Sequence, residues 1–330
     1  MPYRELVRDL LALPKAHLHV HLEGAMRPAT LTELCARDGI GVPVIAGYGS
    51  FAHFNATYAA ACAVIRTAAD LQRLVFEVVQ DAALAGAVWV EPGFTPLHHR
   101  GALGSDAEIL DLVLAAGHAA AGALGIGFGL MVAADRTLAP EDGEHLAVLA
   151  AERADAGVVS FGLHNDEAGW PPQPFAKAYT IAREAGLLAT PHAGELDGPD
   201  SVRGALDVLG ADRVLHGVRA IEDAELLARL VAEQICLDVC PSSNVALAVV
   251  SSLAEHPLPA LLDAGVHCSL NGDDPLLFGP GLAQEYELAR AELGVDDEGL
   301  AQLARCSIEH SRAPGQTKTL GVAGVDAWLR

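Results

Sequence analysis

The chain has 330 residues, 51% of them apolar, and a formal charge of −22 at pH 7. That length can bury one large core and suits a single α/β barrel. A surface this acidic repels phosphate backbones and anionic membranes, which argues against nucleic acid and membrane partners, while leaving a small base in a pocket, or a homo-oligomer, open.

The segment before Pro14 carries Arg4, Glu5, Arg8 and Asp9 among its apolar residues, which predicts a short helix ending at Leu13 and not a signal peptide. Residues 15–24, KAHLHVHLEG, alternate His17, His19 and His21 with Leu18, Val20 and Leu22. Period two predicts a strand with the three imidazoles on one face. Residues 28–38 read as a helix opened by Pro28. A loop runs to Ser50, and residues 51–84 read as helical, with Phe51, Phe54 and Tyr58 near the start. Residues 88–94 read as a strand broken by Pro92 and Gly93, residues 106–124 as a helix, and residues 126–134 as a strand. The GIGFG of that strand opens no helix, so it is no dinucleotide-binding turn. A helix over 140–155, a strand over 158–165 and a helix over 173–185, stopped by Gly186, follow.

Residues 187–197, LLATPHAGELD, read as a buried strand that delivers His192 and then, past Gly194, Glu195. A helix over 201–209 precedes a strand over 214–218 that carries His216. Next come a helix over 223–233, a strand over 235–239 running into CPSSN, a helix over 259–264 and a strand over 266–270 running into NGDDP. Helices fill the rest to Ser311. The six cysteines (Cys35, Cys62, Cys236, Cys240, Cys268 and Cys306) form no CxxC pair and read as buried free thiols of a reducing compartment. No uncharged run approaches the ~18 residues of a membrane span. The expected location is cytoplasmic.

Eight strands, each followed by helix, predict a (β/α)8 TIM barrel as one domain over residues 1–330, with any site at the C-terminal ends of the strands. An open doubly wound sheet would give the polar strand ends no common place to meet. Those ends are His19 and His21 (strand 1), Asn165 and Asp166 (strand 4), His192 and Glu195 (strand 5), His216 (strand 6), and Asp273 and Asp274 (strand 8). Two imidazoles two apart on a strand can share one ion. A third imidazole and a carboxylate complete a site for a borderline metal such as zinc, which lowers the pKa of a bound water towards ~7. Each part alone has a bland reading: HxH as packing, Asp-Asp-Pro as a turn or cap, His216 as a core residue. Their joint placement at strand ends is what carries the signal. His21-Leu22-Glu23 lacks the PCxxC of small zinc deaminases. No HExxH, GxSxG or phosphate-loop pattern occurs. His98-His99 reads as surface loop without a nearby carboxylate, and His145 and His310 as ordinary helical residues.

KAHLHVHLEG, HAGE, LHGVR, CPSSN and SLNGDDPLLF, in this order, resemble the adenosine deaminase family of the amidohydrolase superfamily, over nearly the whole chain. The resemblance implies one zinc held by His19, His21, His192 and Asp273, with His17 not a ligand. It makes Glu195 the acid beside purine N1, and His216 the group that orients and deprotonates the attacking water. It places Asp274 at N7, Glu23 near the ribose hydroxyl, and Phe51 to Tyr58 in a helical lid. The physics fits: attack at C6 costs aromaticity, protonation of N1 offsets it, and a buried carboxyl can stay protonated at working pH. Asn165 stands where the family commonly has a glycine whose backbone meets N3. The strand 2 ending, Pro92-Gly93-Phe94, lacks the common arginine.

The implied reaction is zinc-dependent deamination of a 6-aminopurine nucleoside, by default adenosine or deoxyadenosine, with release of ammonia. Aminodeoxyfutalosine, whose carboxylate would want Arg27 or Arg219 at the pocket mouth, is one alternative. Adenine, which needs the ribose space filled, is another. A non-catalytic purine-binding barrel would have lost a ligand or the acid, and here all are present.

Overall fold

The computed structural model describes residues 8–45 and 47–330. Its strands are β1 Lys15–His17, β2 Ala87–Val90 resuming at Gly93–Phe94, β3 Gly127–Phe128 resuming at Leu130–Asp135, and β4 Val158–His164. They continue with β5 Leu188–Ala193, β6 Arg213–His216, β7 Cys236–Val239 and β8 His267–Leu270. Every strand pairs in parallel with its sequence neighbour. Two hydrogen-bonded runs result. They meet where the chain beyond β1 bridges both edges, Val20 to Asp273 and His21 to Gly93. The same crossing therefore completes the (β/α)8 TIM barrel and carries two histidines to its C-terminal end.

The interruptions have local causes. Pro92 offers no N–H to a ladder. In β3, a Cβ on Gly127 would lie 2.2 Å from the Trp89 ring and one on Gly129 would lie 2.7 Å from Val159, so this strand stays bare where its neighbours crowd it. β1 stops at His17, well short of the expected residue 24, and its continuation is held by single bridges.

The outer helices are α1 Pro28–Asp38, α2 Phe51–Cys62, α3 Ala68–Leu84, α4 Asp106–Leu124, α5 Pro140–Ala151, α6 Ala176–Glu184 and α7 Pro199–Gly204. They continue with α8 Ala224–Glu233, α9 Pro241–Ala246, α10 Leu258–Asp263, α11 Pro275–Phe278, α12 Leu282–Ala291, α13 Asp297–Glu309 and α14 Gly315–Leu329. The single helix expected over 51–84 is two. Thr67 and Asp70 form a capping box that starts α3 afresh, while Ser50 caps α2. CPSSN, read as a strand ending, opens α9. Residues 8–14 are not helical, and the rest of the expected opening helix lies outside the described residues.

α4 is long and apolar enough to cross a membrane by length and composition. Here Ile109, Leu110 and Val113 on it are fully buried, so it coats the barrel. All six cysteines are buried and unpaired.

A buried polar chain sets the barrel's inner geometry. Arg213 on β6 donates to Glu91 at 2.8 Å and to Asp238 on β7 at 2.9 Å. Ser269 donates to Asp238, Asn271 Nδ2 donates to Ser269, and Asn271 Oδ1 accepts the N–H groups of Leu18 and His19 at 2.8 and 3.0 Å. Ser307 on α13 accepts the Ala16 N–H. Fully paired, these groups offset the cost of burying charge and hold the short β1 in register.

Candidate active site

Four strand-end residues converge on one point. His19 Nε2 lies 3.2 Å from His192 Nε2 and 3.1 Å from Asp273 Oδ1. His21 Nε2 lies 3.2 Å and 3.4 Å from the same two atoms. His19 Nδ1 donates to the Asp238 carbonyl at 2.9 Å, and His192 Nδ1 donates to the Leu163 carbonyl at 3.0 Å. A carbonyl only accepts, so both rings keep their proton on Nδ1 and present the Nε2 lone pair. Two lone pairs facing each other beside a carboxylate repel unless a cation lies between them. Donor-to-donor distances of 3.1–3.4 Å would let all four atoms reach one zinc ion at its usual bond lengths of ~2.0–2.1 Å. Burial and the neighbouring imidazoles hold His192 well below its usual pKa, as a ligand requires. The four residues therefore fit a zinc ion.

His17 takes no part in that cluster, although alternation placed it on the same face. Its Nε2 accepts the Gly272 N–H at 3.1 Å and fixes the turn that presents Asp273. Asp273 itself has φ +54°, His216 +63° and Asn165 +79°. Left-handed backbone in non-glycine residues costs energy and is kept only where surroundings enforce it, and here three such residues sit at one barrel end. Ser243 donates to Asp273 Oδ2 at 2.6 Å, leaving Oδ1 to face the histidines.

Glu195 reaches the same cavity. Its Oε1 has no hydrogen-bond partner and lies 3.4 Å from His216 Nε2. Burial, then Asp273 and Glu167, push its carboxyl well above the usual range. Its loop is held by Glu167, whose carboxylate accepts four consecutive backbone N–H groups, from Gly194 at 2.6 Å, Glu195 at 2.9 Å, Leu196 at 2.8 Å and Asp197 at 3.0 Å.

Asp274 lies against Gly24, where a Cβ would stand 1.6 Å from Asp274 Oδ1. Burial and then Asp273 raise the Asp274 carboxyl well above its usual range.

These groups line a cavity of about 490 Å³, with His98 and His164 also on its wall. α2 closes one side with Phe51, Phe54 and Tyr58. Phe54 stacks on Phe278 with ring centres 5.3 Å apart. Asn55 on α2 donates to Asn165 Oδ1 at 2.8 Å, and Asn165 Nδ2 donates to Asp135 at 2.7 Å.

Three sequence expectations change. Glu23 does not line the cavity. Its Oε1 accepts from His99 Nε2 at 2.8 Å and its Oε2 from Tyr58 OH at 3.1 Å, so it ties α2 to the turn after β2. His99 is buried and paired, not a surface residue. Arg27 and Arg219 lie outside the cavity and are paired with Asp81 and Glu222. Sequence reasoning also passed over Glu167, Asn55, Ser243, Asn244 and Asn271. The Asp-Glu after β4 and the Ser-Ser-Asn of CPSSN were the available signals.

The adenosine deaminase family model matches residues 14–328. A putative adenosine/adenine deaminase of Streptomyces coelicolor is 44% identical, with 98% of this chain and 99% of that protein covered. An aminodeoxyfutalosine deaminase of Streptomyces avermitilis is 35% identical, with 99% and 95% covered. Among solved structures, an adenine deaminase from Arthrobacter aurescens superposes with a TM-score of 0.89 at 32% identity, covering 96% of this chain and 99% of that one. An amidohydrolase from Burkholderia ambifaria with bound Zn gives 0.85 at 26% identity, covering 99% and 96%. The barrel, the three-histidine and one-aspartate cluster and these likenesses agree: the chain belongs to the adenosine deaminase family, the deaminases of the amidohydrolase superfamily.

Proposed function

We propose that this chain hydrolyses the 6-amino group of adenine, the free base, to give hypoxanthine and ammonia. The carrying observation is Glu195, a buried carboxyl whose Oε1 has no partner and which faces the cavity beside the four-residue cluster. Zinc, when bound there, supplies Lewis acidity that makes water a competent nucleophile at neutral pH. Glu195 keeps its proton because burial disfavours the carboxylate, and it donates that proton to ring N1 as C6 is attacked. Asp274, raised in the same way, presents a hydroxyl to N7. Asp273, pinned by Ser243, and the buried His216 orient the water.

Two features favour the base over a nucleoside. Asn55 and Asn165, both on the cavity wall, are hydrogen-bonded to each other, and Glu23 lies off that wall with each oxygen already accepting from a protein side chain. Similar proteins named adenine deaminase support the base, while those named aminodeoxyfutalosine deaminase support the second reading. A nucleoside is the second reading. Asn55, Tyr58, His98 and Asn165 also border a neighbouring groove of about 1000 Å³, where a 9-substituent would go if the asparagine pair parted.

Ammonia release from adenine, adenosine, deoxyadenosine and aminodeoxyfutalosine, measured side by side with zinc-loaded protein, decides between them. Adenine should have the highest kcat/KM. A higher value for any of the three nucleosides would overturn the reading.

A further inference from the structure

His216 is a buried imidazole of the cavity wall whose proton position is dictated from outside the site. The chain of constraint starts at a backbone amide. Leu258, the first residue of α10, has an N–H with no partner inside its helix, and it donates to His256 Nδ1 at 3.1 Å. An amide N–H cannot accept, so Nδ1 carries the lone pair and neutral His256 holds its proton on Nε2. Burial keeps this imidazole neutral, pushing its pKa down to about 4.

That Nε2–H donates to Asn244 Oδ1 at 3.1 Å. The bond orients the Asn244 amide and leaves its Nδ2 facing His216 Nδ1 at 3.2 Å. Asn244 and His216 are both buried. Nδ2 can only donate, so His216 Nδ1 accepts, and the neutral ring has its proton on Nε2. That nitrogen is the one 3.4 Å from Glu195 Oε1 and 3.8 Å from Asp273 Oδ2.

We propose that His256 is a positioning residue: through Asn244 it fixes His216 as the Nε2-protonated tautomer, so that His216 meets the attacking oxygen as a hydrogen-bond donor and not as a base. This departs from the role the family resemblance implies for His216. A base would need a bare Nε2 and hence a proton on Nδ1, directed at the Asn244 amide hydrogens. Turning the Asn244 amide would direct those hydrogens at His256 Nε2–H instead. Reversing His256 would set its Nδ1–H against the Leu258 N–H. The polarity of the chain ends in the peptide backbone and cannot be inverted without losing a buried hydrogen bond. The reacting oxygen belongs to the proposed deamination; the tautomer does not depend on it.

Zinc-loaded, full-length protein with 15N-labelled histidine gives the test, by long-range proton–nitrogen correlation of the ring nitrogens. The His216 signals are assigned by their loss in His216→Gln. In the wild type, His216 should show a protonated Nε2 and a bare Nδ1. His256→Leu should mix the two tautomers and lower kcat roughly 10- to 100-fold with KM nearly unchanged, whereas His256→Gln, which keeps a donor towards Asn244, should recover most of both. Asn244→Asp is the second variant. An aspartate accepts from both rings, so it should move the His216 proton to Nδ1 and lower kcat. A protonated Nδ1 in the wild type would overturn the proposal, and so would full kcat in both His256→Leu and Asn244→Asp. If adenine is not deaminated, the reading of the substrate fails while the wild-type spectrum still decides the tautomer.

Discussion

Glu167 offers the sharpest test of how the acid loop is held. Its carboxylate accepts the N–H groups of four successive residues, Gly194 to Asp197. Glu167→Ala removes both acceptor oxygens and leaves all four N–H groups without their partner. Asp197 is exposed and Leu196 half-buried, so water can replace the bond at those two. Gly194 and Glu195 are buried, and their orphaned N–H groups cost about 1–3 kcal/mol each. The expected loss is therefore about 2–6 kcal/mol, a large fraction of the ~5–15 kcal/mol of a typical domain. Glu167→Gln keeps one neutral oxygen for three of the N–H groups and sets its amide against the Gly194 N–H, for a loss of about 1–3 kcal/mol. Urea unfolding of the two variants measures both. Kinetics supply the second readout, because a loop freed from Glu167 no longer aims Glu195, and kcat should fall in each variant. A Glu167→Ala protein with wild-type stability and wild-type kcat would refute the reasoning.

Glu195→Gln should lower kcat by roughly 10²–10⁴-fold, the worth of a positioned general acid, while bound zinc measured by metal analysis stays at one per chain. His19→Ala should lose the metal, since the remaining three donors no longer surround a point, and equilibrium dialysis with zinc reads this directly. Gly24→Ala should cut activity while the barrel still folds. The new methyl stands 1.6 Å from Asp274 Oδ1, so the carboxyl must leave its place, at an overpacking cost of about 1–3 kcal/mol. Glu285 gives a pH dependence. Burial raises its carboxyl from 4.5 to about 8, with Ser242 pulling the other way. The folded chain thus holds a proton that the unfolded chain releases, so this stability is fully present below pH 4.5 and is lost as pH rises through 8, by about 1.4 kcal/mol per unit. Glu285→Gln should flatten that fall in melting temperature across the same window.

The parts of the site legible in the sequence are those where residue type and strand-end position carry the chemistry. His19, His21, His192 and Asp273 are of this kind, and Glu195 follows His192 by a fixed step. What escaped reading acts through backbone or across long separations. Glu167 works on amide N–H groups that no residue pattern marks. His99 looks like loop surface because its partner, Glu23, lies 76 residues away in the chain. The family resemblance puts Glu23 near a sugar hydroxyl, yet Tyr58 and His99 hold its two oxygens. Thr67-x-x-Asp70 marks the division of residues 51–84, although helical pattern lies on both sides of it. His17 shows the limit of alternation: a strand that ends after three residues does not keep its facing.

The placement of donors explains why such a site selects a 6-aminopurine on the proposed reading. Glu195 and Asp274 are both raised by burial and both lack a partner on one oxygen. Protonated, each offers a hydroxyl, and an unsubstituted ring offers lone pairs at N1 and N7 to meet them. Two carboxyls near Asp273 would repel if ionised, so the cavity favours a ligand that accepts from both. The pairing reverses after reaction. Glu195 has then lost its proton and faces the N1–H of the 6-oxopurine as an acceptor, but as a buried carboxylate beside Asp273. Regaining a proton from water relieves that cost and breaks the match with product, whose N1–H then meets a hydroxyl. The burial that arms the acid for attack thereby also weakens the hold on product once the acid is rearmed.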